Sequence, residues 1–125
     1  MRALIVDDSA AMRAYLRMVL KRAGFETEEA RNGKDGLTRL ESPDLPHLVL
    51  LDWNMPEMDG ISMLERLRSE RRLQEVKVIM VTTETELAEM SRALEAGANE
   101  YVMKPFTPEI ILEKIEMLGL LPEAV

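Results

Sequence analysis

The sequence predicts an α/β fold, a doubly wound five-stranded parallel sheet with helices on both faces. Two observations carry that prediction. Short aliphatic runs alternate with stretches of helical periodicity along the whole 125 residues. The central run, Leu48-Val49-Leu50-Leu51, is apolar at every position. A half-exposed strand would alternate apolar with polar, so this run fits a strand buried on both faces, as in a parallel sheet covered by helices. Right-handed crossovers then assemble the units into one sheet.

The elements follow in order. Ala3-Leu4-Ile5-Val6 is a short strand stopped by Asp7-Asp8, and Ser9 or Asp8 can cap the next helix. Met12, Tyr15, Leu16, Val19 and Leu20 recur at helical spacing, and Gly24 ends that helix as a left-handed cap. Phe25 to Ala30 reads as a weaker strand whose acids place it at the sheet edge. Asn32 caps a short helix through about Leu40, with Asp35 in its first turn, where an acid suits the helix dipole. Ser42-Pro43-Asp44-Leu45-Pro46 is a loop.

The central strand ends at Asp52, and Asn54 and Pro56 break regularity after it. Gly60 leads into a helix with Ile61, Leu64 and Leu67 on one face, and Arg71-Arg72 reads as a solvated helix end. Val76 to Val81 is another buried strand, stopped by Thr82-Thr83. Thr83 with Glu86 fits a capping box for a helix that runs to Ala96 and closes at Gly97. Leu87, Met90 and Leu94 form one stripe of that helix, and Ala88, Ala93 and Ala96 form a small-residue face suited to packing on the sheet. Tyr101-Val102-Met103 is the last strand. Thr107 caps the last helix with Pro108 at its first position, and Ile111, Leu112, Ile115 and Leu118 make its core face.

Composition narrows the function. The length suits one domain over residues 1–125, and 46% hydrophobic residues can build a real core. A net charge of -7 argues against nucleic acid as the main partner, and nothing resembles a polybasic membrane patch. There is no cysteine, which excludes disulfides, thiol catalysis and thiolate metal sites. The one histidine, His47, stands at the start of the central strand and excludes a multi-histidine zinc site. No apolar run approaches the roughly 20 residues of a membrane span, so a cytoplasmic monomer is expected.

The chemistry lies at the strand ends. The first strand ends in Asp7-Asp8, the third in Asp52, the fourth in Thr82 and the fifth in Lys104. A parallel sheet brings these to one rim, where open α/β sheets bind their ligands. Clustered carboxylates repel one another, and a hard divalent cation offsets that repulsion. Magnesium fits best, because it takes oxygen ligands and keeps waters that a phosphate can replace. An aspartate beside such a metal can attack phosphorus, while Lys104 neutralises the developing charge and Thr82 offers a hydroxyl.

Asp7-Asp8, Asp52, Thr82 and Lys104-Pro105 together resemble the motif set of the response-regulator receiver domains of two-component signalling. The likeness covers the whole chain. It is nearest to the stand-alone chemotaxis members, on Asp52-Trp53-Asn54-Met55-Pro56, Met80-Val81-Thr82 and Tyr101-Val102-Met103-Lys104-Pro105-Phe106. The resemblance implies a flavodoxin-like (βα)5 sheet of order 2-1-3-4-5. It implies that Asp52 accepts a phosphoryl group, that Asp8, Asp52 and the Asn54 backbone carbonyl bind Mg2+, and that Asp7 acts through water.

Further implications follow from the same likeness. Lys104 pairs with the phosphoryl group and is followed by a cis Lys104-Pro105 bond. Thr82 and Tyr101 form a switch in which Tyr101 turns inward as Thr82 moves. Met90, Tyr101, Met103, Phe106 and Lys114 border the output surface of the fourth helix, fifth strand and fifth helix. Glu84 and Asn54 flank the site and can orient an attacking water. The phosphodonor is a sensor histidine kinase or a small phosphodonor, and the target is a protein such as a flagellar-motor switch protein. Catalysis is confined to the domain's own phosphorylation and dephosphorylation. Ser9 and Thr83 depart from the chemotaxis pattern, which has an aromatic and a smaller residue there.

Three other readings fit less well. A haloacid-dehalogenase-type magnesium phosphohydrolase carries a second acid two residues after its nucleophile, where this chain has Asn54, and its acid pair follows the nucleophile in sequence. A flavin-binding module needs a phosphate-binding loop where Asp7-Asp8 would repel the phosphate. An inactive receiver would not keep every site residue. Within the receiver reading, a phosphorelay remains the alternative to chemotaxis.

Overall fold

The structure, a computed structural model, describes residues 1–83 and 87–120. Five parallel strands pair in the order β2-β1-β3-β4-β5. They are β1 (Arg2–Val6), β2 (Glu26–Ala30), β3 (Leu48–Asp52), β4 (Lys77–Thr82) and β5 (Glu100–Met103). The helices are α1 (Ala10–Arg22), α2 (Gly33–Arg39), α3 (Gly60–Arg68), α4 (Leu87–Glu95) and α5 (Pro108–Met117), with a 3-10 turn at Arg71–Leu73. The expected fold class and strand order are both found. The Glu86 member of the expected capping box, the helix start at Glu86 and the Glu84 position lie outside the described residues.

The strands alternate between two cores, as a pleat requires. Leu4, Val6, Val49, Leu51, Val78, Met80 and Tyr101 meet Ile61, Met63, Leu64, Leu67 and Ala93 on the α2-α3-α4 face. Ala3, Ile5, Leu48, Leu50, Ile79, Val81 and Val102 meet Leu16, Val19, Leu20, Ile111 and Ile115 on the α1-α5 face. This two-sided burial is why Leu48 to Leu51 of β3 are all apolar. Leu112 and Leu118 pack only partly against the α1-α5 core.

The expected caps Ser9, Asn32 and Thr107 each accept a backbone N–H at a helix start, and Asp59, not singled out in the sequence, does the same for α3. Gly24 (φ +91°) and Gly97 (φ +110°) take the left-handed conformation after α1 and α4.

One expectation needs correction. The small-residue face of α4 is narrower than predicted: Ala93 is fully buried, but Ala88 is exposed and Ala96 half-buried. Leu94 is 52% exposed, while Met90 is half-buried and packs against the α2-α3-α4 core, so the stripe runs from core to surface. Arg71 and Arg72 are exposed, as a solvated end requires, and the Arg72 guanidinium also donates to the Leu40 carbonyl.

β2 is one of the two edge strands, with β5 the other, and it is lined by charge. Glu29 pairs with Arg13 and Arg17 of α1, while Glu28 pairs with Arg39 of α2. Adjacent acids on one strand thus serve helices on opposite faces.

Candidate functional site

Four strands deliver the site, and the ladders extend just far enough to hold it. The Asp7 N–H donates to Ala30 O at 3.1 Å, the Trp53 N–H to Val81 O at 3.0 Å and the Lys104 N–H to Thr82 O at 2.7 Å. Each functional side chain therefore leaves a backbone pinned to its neighbouring strand. Asp7, Asp52 and Thr82 are the polar or charged residues fully buried among the described residues. Asp8 is exposed and Lys104 half-buried, so the rim opens on their side. The Lys104-Pro105 peptide is cis.

The Lys104 Nζ donates to Asp52 Oδ1 at 3.1 Å and lies 3.9 Å from Asp7 Oδ2. The Asn54 backbone N–H also donates to the Asp52 carboxylate. These contacts favour the ionised form, yet burial outweighs them and raises the Asp52 pKa above its ordinary value. The Asp7 pKa is raised too, first by burial and then by the nearby Asp52 charge, against the Ser9 N–H that its Oδ1 accepts at 2.8 Å.

One carboxylate oxygen from each of Asp7, Asp8 and Asp52 lies within 4.8 Å of the other two. Among the described residues, Asp7 Oδ2 is the buried side-chain atom with no hydrogen-bond partner. An all-oxygen donor set with one orphaned acceptor fits a hard divalent cation such as magnesium.

Two contributors were not legible in the sequence. Arg13 Nη1 donates to the Asp7 carbonyl at 2.7 Å, while its Nε sits 3.3 Å from Glu29 Oε1, so α1 and β2 together hold the acid pair. Gly60 donates its N–H to Trp53 O, and a Cβ at Gly60 would lie 2.5 Å from Asp52 O and 2.8 Å from Trp53 Cα. Only a residue without a side chain lets α3 start against the back of Asp52. Ser9 also acquires a role: it caps α1 through its hydroxyl and steadies Asp7 through its N–H.

The predicted output residues do not share one exposed surface. Met103 is 43% exposed, Met90 and Lys114 are half-buried, and Tyr101 is 8% exposed within the α2-α3-α4 core. Tyr101 is thus already inward. Phe106 packs on the other face, its ring 6.0 Å from that of Tyr15 on α1. Lys114 ties α5 to β5 through Glu100 at 3.3 Å. Thr83 stands exposed at the site margin, its hydroxyl accepting from the Asn54 amide at 3.5 Å. His47 is remote, accepting the Arg2 N–H on its Nδ1 at the other end of β3.

A parallel sheet whose strand ends gather three acids, a threonine and a lysine defines a class, and the sequence comparison agrees with it. Residues 3–116 match the family described as the response regulator receiver domain, and the chain belongs to that family. Its relatives include chemotaxis proteins. It is 41% identical over 119 residues to chemotaxis protein CheY1 of Helicobacter pylori, covering 94% of this chain and 96% of that one. It is 43% identical over 119 residues to chemotaxis protein CheY of Pseudomonas aeruginosa, covering 94% and 95%. Among solved structures, the Vibrio cholerae chemotaxis protein CheY4 superposes with a TM-score of 0.86 at 29% identity, over 93% of this chain and 96% of that one. A CheY-like receiver domain from Methanospirillum hungatei gives 0.84 at 37% identity, over 94% and 91%. Proteins of this kind are signalling regulators, not conventional enzymes. No helix among the described residues is long and apolar enough to cross a membrane.

Proposed function

We propose that the protein is a phosphoryl-accepting switch in a chemotaxis pathway, with Asp52 as the acceptor. The observation that carries this reading is a buried carboxylate, hydrogen-bonded by Lys104, beside a second buried carboxylate with an unsatisfied oxygen. An Asp52 oxygen attacks phosphorus as the bond from phosphorus to the donor breaks. Lys104 leaves its contact with Asp52 to neutralise the phosphoryl oxygens, and the Thr82 hydroxyl donates to one of them. Asp8, Asp52 and the Asn54 carbonyl would hold Mg2+, with Asp7 acting through water. Bound there, the ion supplies positive charge that a crowd of carboxylates lacks.

The new charge draws Thr82 inward and biases the packing of Tyr101 and the α4-β5-α5 face. The output is a population shift at a protein-binding surface. The donor is a sensor histidine kinase, the names of the relatives favour a chemotaxis pathway, and a flagellar-motor switch protein is the target the family resemblance implies.

The test is labelling of the intact protein by a small phosphodonor. Label should require magnesium and be lost in Asp52→Asn. Magnesium titration should give a saturable change in the fluorescence of Trp53, the single tryptophan, which is 7% exposed next to Asp52. A flat titration together with label persisting in Asp52→Asn would overturn the reading.

A further inference from the structure

A cavity of about 380 Å³ opens beside the acceptor, lined by Met12, Tyr15, Thr83, Lys104, Pro105 and Phe106. The tilted Tyr15 and Phe106 rings form one wall and the Met12 thioether extends it. Among the described lining residues the charged one is Lys104, whose Nζ reaches Asp52 Oδ1 at 3.1 Å. The rim hydroxyl of Thr83 lies against Asn54, two residues from the acceptor. Apolar walls next to an ammonium make an amphiphilic site, which suits a small molecule with an anionic head and a short carbon tail.

We propose that this cavity is a subsite for the acyl group of small acyl phosphates, making the protein selective for donors with a short apolar chain. The inference rests on Asp52 being the acceptor. The phosphoryl dianion sits between Lys104 and Asp52 while the chain lies on Met12, Tyr15 and Phe106. The Asp52 carboxylate attacks phosphorus and forms a new oxygen–phosphorus bond. The bond from phosphorus to the acyl oxygen breaks, and its electron pair leaves with the carboxylate. Charge balances, since a monoanion and a dianion give an aspartyl-phosphate dianion and a carboxylate, and no proton or co-reactant is required. Charge complementarity singles out this occupant. A charged peptide segment would find no second counter-charge among the described lining residues, whereas a short aliphatic chain needs none.

The experiment compares second-order labelling rates of the full chain with phosphoramidate, acetyl phosphate and butyryl phosphate, read as the mass gain of the intact protein. Taking two methylenes out of water is worth roughly tenfold when they are fully buried. The cavity is open, so butyryl phosphate should exceed acetyl phosphate by about three- to tenfold. The ratio should fall toward one in Phe106→Ala and in Met12→Ser. The two variants lie on different elements, so a folding defect in one leaves the other as the test. Labelling that is flat or falling with chain length, or a ratio unchanged in both variants, overturns the subsite and leaves the acceptor reading standing. Failure of all three donors to label the wild type overturns both. A change confined to transfer from a protein phosphodonor, with the acyl ratio unmoved, assigns the cavity to a protein side chain and overturns the proposal.

Discussion

Both ends of the sheet hold charge drawn wholly or partly out of water, and they treat it in opposite ways. At the carboxyl end, Asp7 and Asp52 share one lysine, and Asp7 Oδ2 has no hydrogen-bond partner among the described residues. At the amino end, the Arg68 guanidinium is bonded on every side. It donates to Gly97 O at 3.0 Å, to Leu73 O at 2.9 Å and to Asn99 Oδ1 at 2.9 Å, and Asn99 in turn accepts the Val78 N–H. Arg68 has neutral oxygens in place of a counter-ion, and burial lowers its pKa. The difference separates a polar group kept for the fold from one kept for a ligand. The first is fully satisfied, and the second is left partly unsatisfied until something binds.

Substitutions can break that contrast at either end. The largest effect is expected at the satisfied end. Arg68→Met takes a donor from Gly97 O, Leu73 O and Asn99 Oδ1, leaving Leu73 O and Asn99 Oδ1 one backbone donor each, and should cost about 2–4 kcal/mol in chemical denaturation. Labelling per folded molecule should not change. Next, Gly60→Ala pushes a methyl into the Asp52 backbone and should cost about 1–3 kcal/mol. Unlike the arginine change, it should also slow labelling of the folded fraction, because the acceptor itself is displaced.

The unsatisfied end should respond with the opposite sign. Asp7→Asn should stabilise the metal-free protein at neutral pH by about 1–2 kcal/mol, since a buried orphan acceptor costs about that much. Its pH dependence follows from the raised pKa. Folded Asp7 holds its proton to a higher pH than the unfolded chain does, so wild-type stability falls as pH rises through that interval. The advantage of the variant should therefore shrink as pH drops toward the ordinary carboxylate range, and magnesium should reverse it at pH 7. Denaturant curves over a pH series, with and without magnesium, check all three. The smallest effect lies between the poles. Glu57, in the loop after β3, has φ +68° without being glycine. Glu57→Asn should gain about 0.5–1 kcal/mol, because asparagine tolerates that conformation better.

How far the sequence reached depends on the range of each signal. The element order, the helix caps and the residues ending each strand were readable, because period, cap chemistry and strand termination are local properties of the chain. The five rim positions followed once the sheet was taken as parallel. Arg68 was invisible because its partners Gly97 and Asn99 lie 29 and 31 positions away. Arg13 looked like one more cation on a helix, and only its spatial relation to the Asp7 carbonyl sets it apart. Gly60 read as a helix-start residue, since the close approach of Asp52 cannot be inferred from spacing. Phe106 was assigned by likeness to the output surface, while its packing on Tyr15 reflects an α1-α5 neighbourhood that no local pattern encodes.

The charge lattice along β2 has a consequence for how such a protein behaves when crowded. An edge strand normally offers its free backbone groups to any other extended chain, the first step toward fibrous aggregates. Here an approaching strand would have to displace Arg13, Arg17 and Arg39 from Glu29 and Glu28 before pairing with the edge. Growth of the sheet from copy to copy is blocked at β2 by groups that otherwise only brace α1 and α2. The opposite edge, β5, and exposed helical surface then remain as routes for self-association.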